Sequence, residues 1–263
     1  MLPGLLDQLG RAQVFDLSQP YYVGMPHHPN HPPFLYGLSK THGTYVRDGG
    51  VSAAAESISL GGHVGTHIDA LCHFSKDGMI HGGIEVAPVQ SDTSGISVHG
   101  VDTIPPIVRR GVLIDVAKHK GAEILDEDFA IDARLIEQIC EAQETEIRSG
   151  DVVLVRTGWA NLWRDSASYM NDLAAPGPDL EAGQMLSEIG IFAGGSDTIA
   201  FELMPNPKME IHGHFLVEKG IHIIEALNME GLSAAGVTEF AFVGAPIKIE
   251  NGTGAPIRPL ALV

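Results

Sequence analysis

Apolar residues along this chain fall into short, strand-length runs separated by stretches rich in polar residues, glycine and proline. Residues 13–18 read as a short strand. Residues 55–61 alternate small or apolar with polar side chains, the period of a half-buried strand. The continuous runs at 111–116 and 151–157 have the length of buried strands, and 191–194, 198–201, 221–225 and 240–244 add further strand pieces. Helical patterning lies between them. Asp126 or Asp128 caps a helix running to about Glu144, with Phe129, Ile131, Leu135, Ile136 and Ile139 as its apolar stripe. A second helix opens at Asp179 and runs towards Gly190, and a third runs from Lys208 to Gly220, where glycine ends it. The alternation predicts an α/β fold with a mixed sheet, in one domain spanning 1–263. Pro20, Gly24, Pro26, Pro29, Pro32 and Pro33 break regular structure, so 19–50 is expected to be a loop region. It carries Tyr21, Tyr22, His27, His28 and His31, side chains suited to a lid over a pocket. No internal repeat or long linker appears, and the Gly194-Gly195 elbow is the one place where a domain boundary could hide.

With 263 residues, 44% of them hydrophobic, the chain can bury one sizeable core. Its apolar runs fall far short of the roughly 20 residues a membrane span requires. The first ten residues lack a basic segment and include Asp7, so they do not read as a secretory signal, and the cytoplasm is the expected location. Cys72 and Cys140 are the only cysteines, which excludes a disulfide framework and any four-cysteine metal site. A formal net charge of -17 disfavours nucleic acid and anionic membranes and favours a small-molecule or cationic partner. Thirteen histidines are the compositional oddity, since imidazole is both a common metal ligand and a proton carrier near neutral pH.

Four of the strongest metal and proton-transfer candidates fall in eleven residues, His63-Val-Gly-Thr-His67-Ile-Asp69-Ala-Leu-Cys-His73. In an extended chain His67 and Asp69 project to one side, and Gly65 lets the backbone turn so that His63 converges on the same point. Two imidazoles and a carboxylate suit zinc, manganese or iron and leave coordination positions open for water, as a catalytic site requires. His73, four residues beyond Asp69, is the candidate general base and acid. Cys72 reads as a small buried apolar residue. A second constellation, His212-Gly-His214 followed by Glu225 at the end of an apolar run, adds candidate metal ligands. Residues two apart on a helix point about 200° from each other, so only one of His212 and His214 can face a site. Asp197 reads as a turn residue making Asx-type hydrogen bonds, with a contact to the site as the alternative. No nucleophile elbow, dinucleotide loop, phosphate loop or H-E-x-x-H motif is present.

These residues give the chain a resemblance to the cyclase family of metal-dependent hydrolases, which includes bacterial kynurenine formamidases and isatin hydrolases. It rests on residues 14–18 and 24–26, the His63-to-His73 motif, 195–198 and 220–225, and so spans most of the chain. The resemblance implies a swivelling β/β/α fold and a homodimer or homotetramer. It also implies one or two zinc or manganese ions per chain, and hydrolysis of an amide, lactam or related acyl bond. His63, His67 and Asp69 are then ligands of the first ion, His73 the proton-transfer residue, and Glu225 the late carboxylate that can bridge two ions. Two departures stand out. Leu71 replaces a proline found in many members, and the family's late histidine, twelve residues before the glutamate, would fall on Gly213, between His212 and His214. The chain is also longer than typical kynurenine formamidases, which points away from that substrate. Tyr21, Tyr22 and His28 are the expected substrate contacts. The competing expectation is a protein of the same fold that binds a metal or small ligand without turnover.

Overall fold

In the computed structural model, which describes residues 2–263, a nine-stranded mixed sheet runs through the chain. The elements that matter for the site are, in chain order, α1 (Leu2–Leu9), β1 (Val14–Asp16), β2 (Leu35–Lys40), β3 (Ala55–Ser59), β4 (His67–Asp69), β5 (Ile107–Asp115), α2 (Ala133–Ala142), β6 (Val152–Arg156), α3 (Leu180–Ile189), β7 (Ala193–Ser196), α4 (Glu210–His212), β8 (His222–Glu225), β9 (Glu239–Gly244), β10 (Gly254–Pro256) and β11 (Leu260–Leu262). The strand order is β1-β11-β9-β5-β6-β7-β8-β4-β10. Strands β5, β6, β7 and β8 are mutually parallel, so their carboxyl ends share one edge, where open α/β sheets commonly bind ligands.

Burial on both faces explains why β5 and β6 read as continuous apolar runs. Val112, Ile114, Val153 and Val155 face a core completed by Leu135, Ile136 and Ile139 of α2 and by Ala182 and Leu186 of α3. Leu113, Val152 and Leu154 face the opposite core with Phe240 and Phe242 of β9. The expected α/β architecture with a mixed sheet is therefore present, and Gly194-Gly195 lies inside β7. Among the described residues no helix is long and apolar enough to cross a membrane.

Helix α3 follows its sequence signals: the Asp179 carboxylate accepts from the Ala182 N–H at 2.9 Å, and Gly190 closes the helix in the left-handed region. Other expectations are corrected. Ile131 is not on a helix; Ala130–Ile131 pairs in parallel with Gly177–Pro178, and α2 begins after Asp132, whose side chain caps Leu135. Residues 198–201 form bends instead of a strand, because the Thr198 hydroxyl donates to the Ala200 carbonyl and turns the backbone locally. The stretch 19–50 is not all loop, since β2 pairs with β3 as an isolated antiparallel ribbon. Among the described residues that ribbon has no second layer, so β3 is exposed along its length and not half-buried. From Gly213 to Lys219 the third helix is π-helical, with Gly220 as its left-handed end.

Candidate metal centre

Strand β4 sits between β8 and β10, and register does much of the assembly. Glu225 pairs with His67 on one side, and Pro256 and Gly254 pair with His67 and Asp69 on the other. Directly opposed side chains in an antiparallel pair lie about 5 Å apart, so Glu225 is brought onto the His67 face by pairing alone. His67 and Asp69 share that face by the two-residue period, as the sequence predicts, and both are buried. His63 reaches it because Gly65 turns the chain at φ +69, a conformation open to glycine at little cost. A Cβ on Gly65 would also stand 2.5 Å from the Tyr21 ring. Gly254 is required for space: the His63 imidazole lies 2.4 Å from where its Cβ would be.

Two sets of donors result. Ligand atoms of His63, His67 and Asp69 lie within 4.8 Å of one another, and so do those of Asp69, His212 and Glu225. Asp69 belongs to both. Its Oδ1 takes a 2.7 Å bond from His63 Nδ1, while Oδ2, fully buried, has no hydrogen-bond partner, with His212 Nε2 at 3.7 Å. An unpaired buried carboxylate oxygen is costly unless a cation or donor meets it. Glu225 offers Oε2 to His67 Nε2 at 3.3 Å and Oε1 to His212 Nε2 at 3.2 Å. The His67 and His212 imidazoles are held with Nε2 towards this point, whereas His63 faces Asp69 with Nδ1. His67 Nδ1 donates to the Gly65 carbonyl at 2.8 Å, and His212 Nδ1 makes a short bond to the Glu202 carboxylate. Such partners fix the tautomer and aim of a ligating histidine. The nitrogen and oxygen donor set, the orphaned oxygen and the enforced tautomers all fit a divalent metal.

The electrostatics have the same cause. Burial disfavours charge on Asp69 and Glu225, yet the surrounding imidazoles hold both below the usual carboxylate range, Glu225 at about 2. Burial likewise opposes charge on His67 and His212, and the carboxylates outweigh it and raise both. His73 behaves differently. Its ring stacks on His63 at 3.7 Å and lies edge-on to Phe74 at 4.9 Å. Burial lowers it to about 3 despite the pull of Asp69, leaving a neutral imidazole with a nitrogen able to accept a proton.

A cavity of about 330 Å³ opens onto these groups, lined also by His28, His31, Phe74, Ile199, Met204 and Met209. Of the expected substrate contacts, His28 lines it. Tyr21 and Tyr22 do not: their hydroxyls donate to the Thr66 and Trp163 carbonyls, so both act as struts for the loop. His214 is likewise outside the site, bonded to Ser187 and Glu218. His212 alone faces inward. The spacing of thirteen residues to Glu225, one more than the family's twelve, is accommodated across the π-helical turn, which takes more residues per turn than an α-helix. Asp197 is fully buried and accepts from Thr157 N, Thr157 Oγ1 and Gly158 N, a brace between loops and not an Asx turn. Cys72 is buried in the core as expected, its thiol pushed up to about 11 by burial.

Sequence reasoning missed Glu202, His222, whose Nδ1 holds the Asp69 carbonyl, and Thr253, bonded to His63 Nε2. None carries a periodic or spacing signal. Glu202 also accepts the Ile211 and His212 backbone N–H groups, so it both caps α4 and aims its last residue. Glu202→Gln keeps one acceptor and removes the charge. It is expected to weaken binding of the ion on the His212 side by roughly 10- to 100-fold, read by calorimetric metal titration. Unchanged affinity with intact circular dichroism would deny Glu202 that role.

Comparison with known proteins follows the same lines. The family model described as "Putative cyclase" matches residues 15–203. The isatin hydrolase of Roseibium aggregatum is 32% identical over 212 residues, 78% of this chain and 73% of the relative. A kynurenine formamidase of Bacillus thuringiensis is 23% identical over 252 residues, 94% of this chain and 96% of the relative. Among solved structures, that of a novel cyclase superposes with a TM-score of 0.87 at 22% identity, covering 98% of this chain and 89% of the other, a likeness of fold.

Proposed function

The chain belongs to the cyclase family, and from that premise we propose that it is a metal-dependent hydrolase cleaving the non-peptide C–N bond of a small amide or lactam, with His73 as proton carrier. The observation that carries this reading is the buried Asp69, shared between two histidine–carboxylate sets and left with one unpaired oxygen at the floor of a cavity. His63, His67 and Asp69 would hold one ion, and Asp69, His212 and Glu225 would hold a second. A bound divalent ion supplies Lewis-acid polarisation of a carbonyl and lowers the pKa of water that reaches it. A donor set of imidazoles and carboxylates suits zinc or manganese.

The protein's own groups do the rest. Neutral His73 stands beside the carboxylate cluster, placed to take a proton from the attacking water and return it to the departing nitrogen. Phe74, Ile199, Met204 and Met209 exclude bulk water and offer flat or deformable contacts to a ring. His28 and His31 also line the cavity, with the His31 ring 5.1 Å from the His63 ring. Relatives named for isatin, a cyclic amide, and for a formamide support amides and lactams as the substrate class. Lactones share the same tetrahedral chemistry. A small-molecule substrate also suits the strong negative charge, and the free thiols of Cys72 and Cys140 suit the cytoplasm.

A panel of cyclic and linear amides, lactams and lactones tests the reading. Saturable hydrolysis of a lactam or aryl amide is expected, abolished by chelator and restored by zinc or manganese. Tight binding of panel members by the metal-loaded protein, with no turnover of any, would overturn it.

A further inference from the structure

Three candidate ligand imidazoles surround the carboxylates, and they are not held alike. His67 Nδ1 bonds the Gly65 carbonyl and His212 Nδ1 bonds the Glu202 carboxylate. Both partners only accept, so each ring carries a proton on Nδ1 and turns Nε2 to the site. His63 is turned the other way: its Nδ1 meets Asp69 Oδ1 at 2.7 Å, and its Nε2 meets the Thr253 hydroxyl at 2.9 Å. A hydroxyl can donate a hydrogen bond or accept one. Of the three rings, His63 alone has an outer partner that leaves the position of its proton open.

Two arrangements then satisfy the same atoms. With the ring proton on Nδ1, His63 donates to Asp69, and Nε2 accepts from the Thr253 hydroxyl. With Nδ1 bare and available to an ion, the proton sits on Nε2 and is donated to the Thr253 oxygen. Passing between them breaks one N–H bond and forms another by exchange with water, with no net release of a proton.

The backbone places Thr253 for this role. It immediately precedes β10, and its carbonyl accepts from the Ala70 N–H at 2.9 Å, extending the pairing with β4 past Asp69. The turn before it is fixed by Asn251, whose N–H donates to Asp102 at 3.0 Å and whose side chain donates to the Ser94 carbonyl at 2.9 Å. Glycine at 62 allows the close approach, since a Cβ there would stand 2.6 Å from the Gly254 carbonyl oxygen. The bond that aims His63 also seats His73, whose ring stacks on it at 3.7 Å.

We infer that Thr253 is a positioning residue for the ion held by His63, His67 and Asp69: its hydroxyl holds the His63 ring in both arrangements and makes Nδ1 the ligating nitrogen. The inference rests on the metal-dependent reading of the site.

Calorimetric zinc titration and ¹⁵N NMR of histidine-labelled full chain test it, with the His63 signals assigned by their loss in His63→Gln. In the unmodified protein the His63 proton is expected on Nδ1 without metal and on Nε2 once zinc is bound. Thr253→Val, equal in shape but without the hydroxyl, is expected to weaken zinc binding at the His63 set by roughly 10- to 100-fold with unchanged circular dichroism, and Thr253→Ser to stay within a few-fold of the unmodified protein. The proton on the same nitrogen in both states, or valine binding zinc as tightly as threonine, overturns the inference. Equal losses in the serine and valine variants overturn it too, because they assign the effect to packing. Failure of the unmodified protein to bind zinc or manganese would instead overturn the metal-dependent reading on which it stands.

Discussion

Asp69→Asn is expected to leave the protein folded, strip it of metal and abolish hydrolysis. Both donor sets pass through this carboxylate, so one substitution disables both ions, whereas loss of His63 or Glu225 would leave one set intact. Asparagine matches aspartate in size, and its amide oxygen can still accept from His63, so the packing around this fully buried position changes little. What disappears is the negative charge that compensates buried imidazoles and would compensate a divalent cation. A residue that merely orients a ligand costs about 10- to 100-fold in affinity when removed; a charged ligand shared by two ions should cost more, and turnover should fall below detection. Elemental analysis by mass spectrometry of protein purified without added metal reads the first effect. About one or two ions per chain in the unmodified protein, falling below roughly a tenth in the variant, is the expected result on the reading that one or two ions bind. Retained metal together with retained turnover would show that Asp69 is not the shared ligand.

Legibility of the site in the sequence followed the distance over which its geometry is set. His63, His67, Asp69 and His73 lie within eleven residues, and the strand period plus one positive-φ glycine brings them together, so local rules suffice. Glu225 depends on the register of β8 against β4, which local patterning does not encode; the hints were a strand-end carboxylate and, mostly, the family resemblance over 220–225. The choice between His212 and His214 was open because spacing alone put neither at the family's position. The π-helical stretch resolves it by turning His212 inward and His214 towards Ser187. Glu202, His222 and Thr253 act on their partners across 10, 153 and 190 residues of chain, and no single-sequence pattern announces such pairs. The fold divides similarly. Strands β5 and β6 are doubly buried and read plainly, while β10 and β11, three residues each, are too short to show a period. The ribbon misled in the opposite sense: its alternation is real, and among the described residues nothing covers the apolar face.

His73→Ala separates proton transfer from metal binding. The ring stacks on His63 at 3.7 Å but belongs to neither donor set, so its removal should leave metal content near that of the unmodified protein. Burial holds the imidazole neutral, at about 3, throughout the range in which the enzyme would work, so it accepts a proton only as one is released beside it. Asp69 and Glu225 then stabilise the imidazolium that forms, since both carboxylates favour charge on this ring. Positioned acid–base groups typically contribute 10²- to 10⁴-fold, and the loss is expected in kcat, with KM within a few-fold because the wall made by Phe74, Met204 and Met209 remains. A conservative His73→Gln variant, which keeps volume and hydrogen-bonding capacity but cannot carry the proton, should fall with alanine. Steady-state kinetics on the best substrate of the panel, paired with metal analysis of the same preparations, decides between the roles. A kcat within a few-fold of normal removes His73 from the mechanism, and loss of metal makes it a ligand.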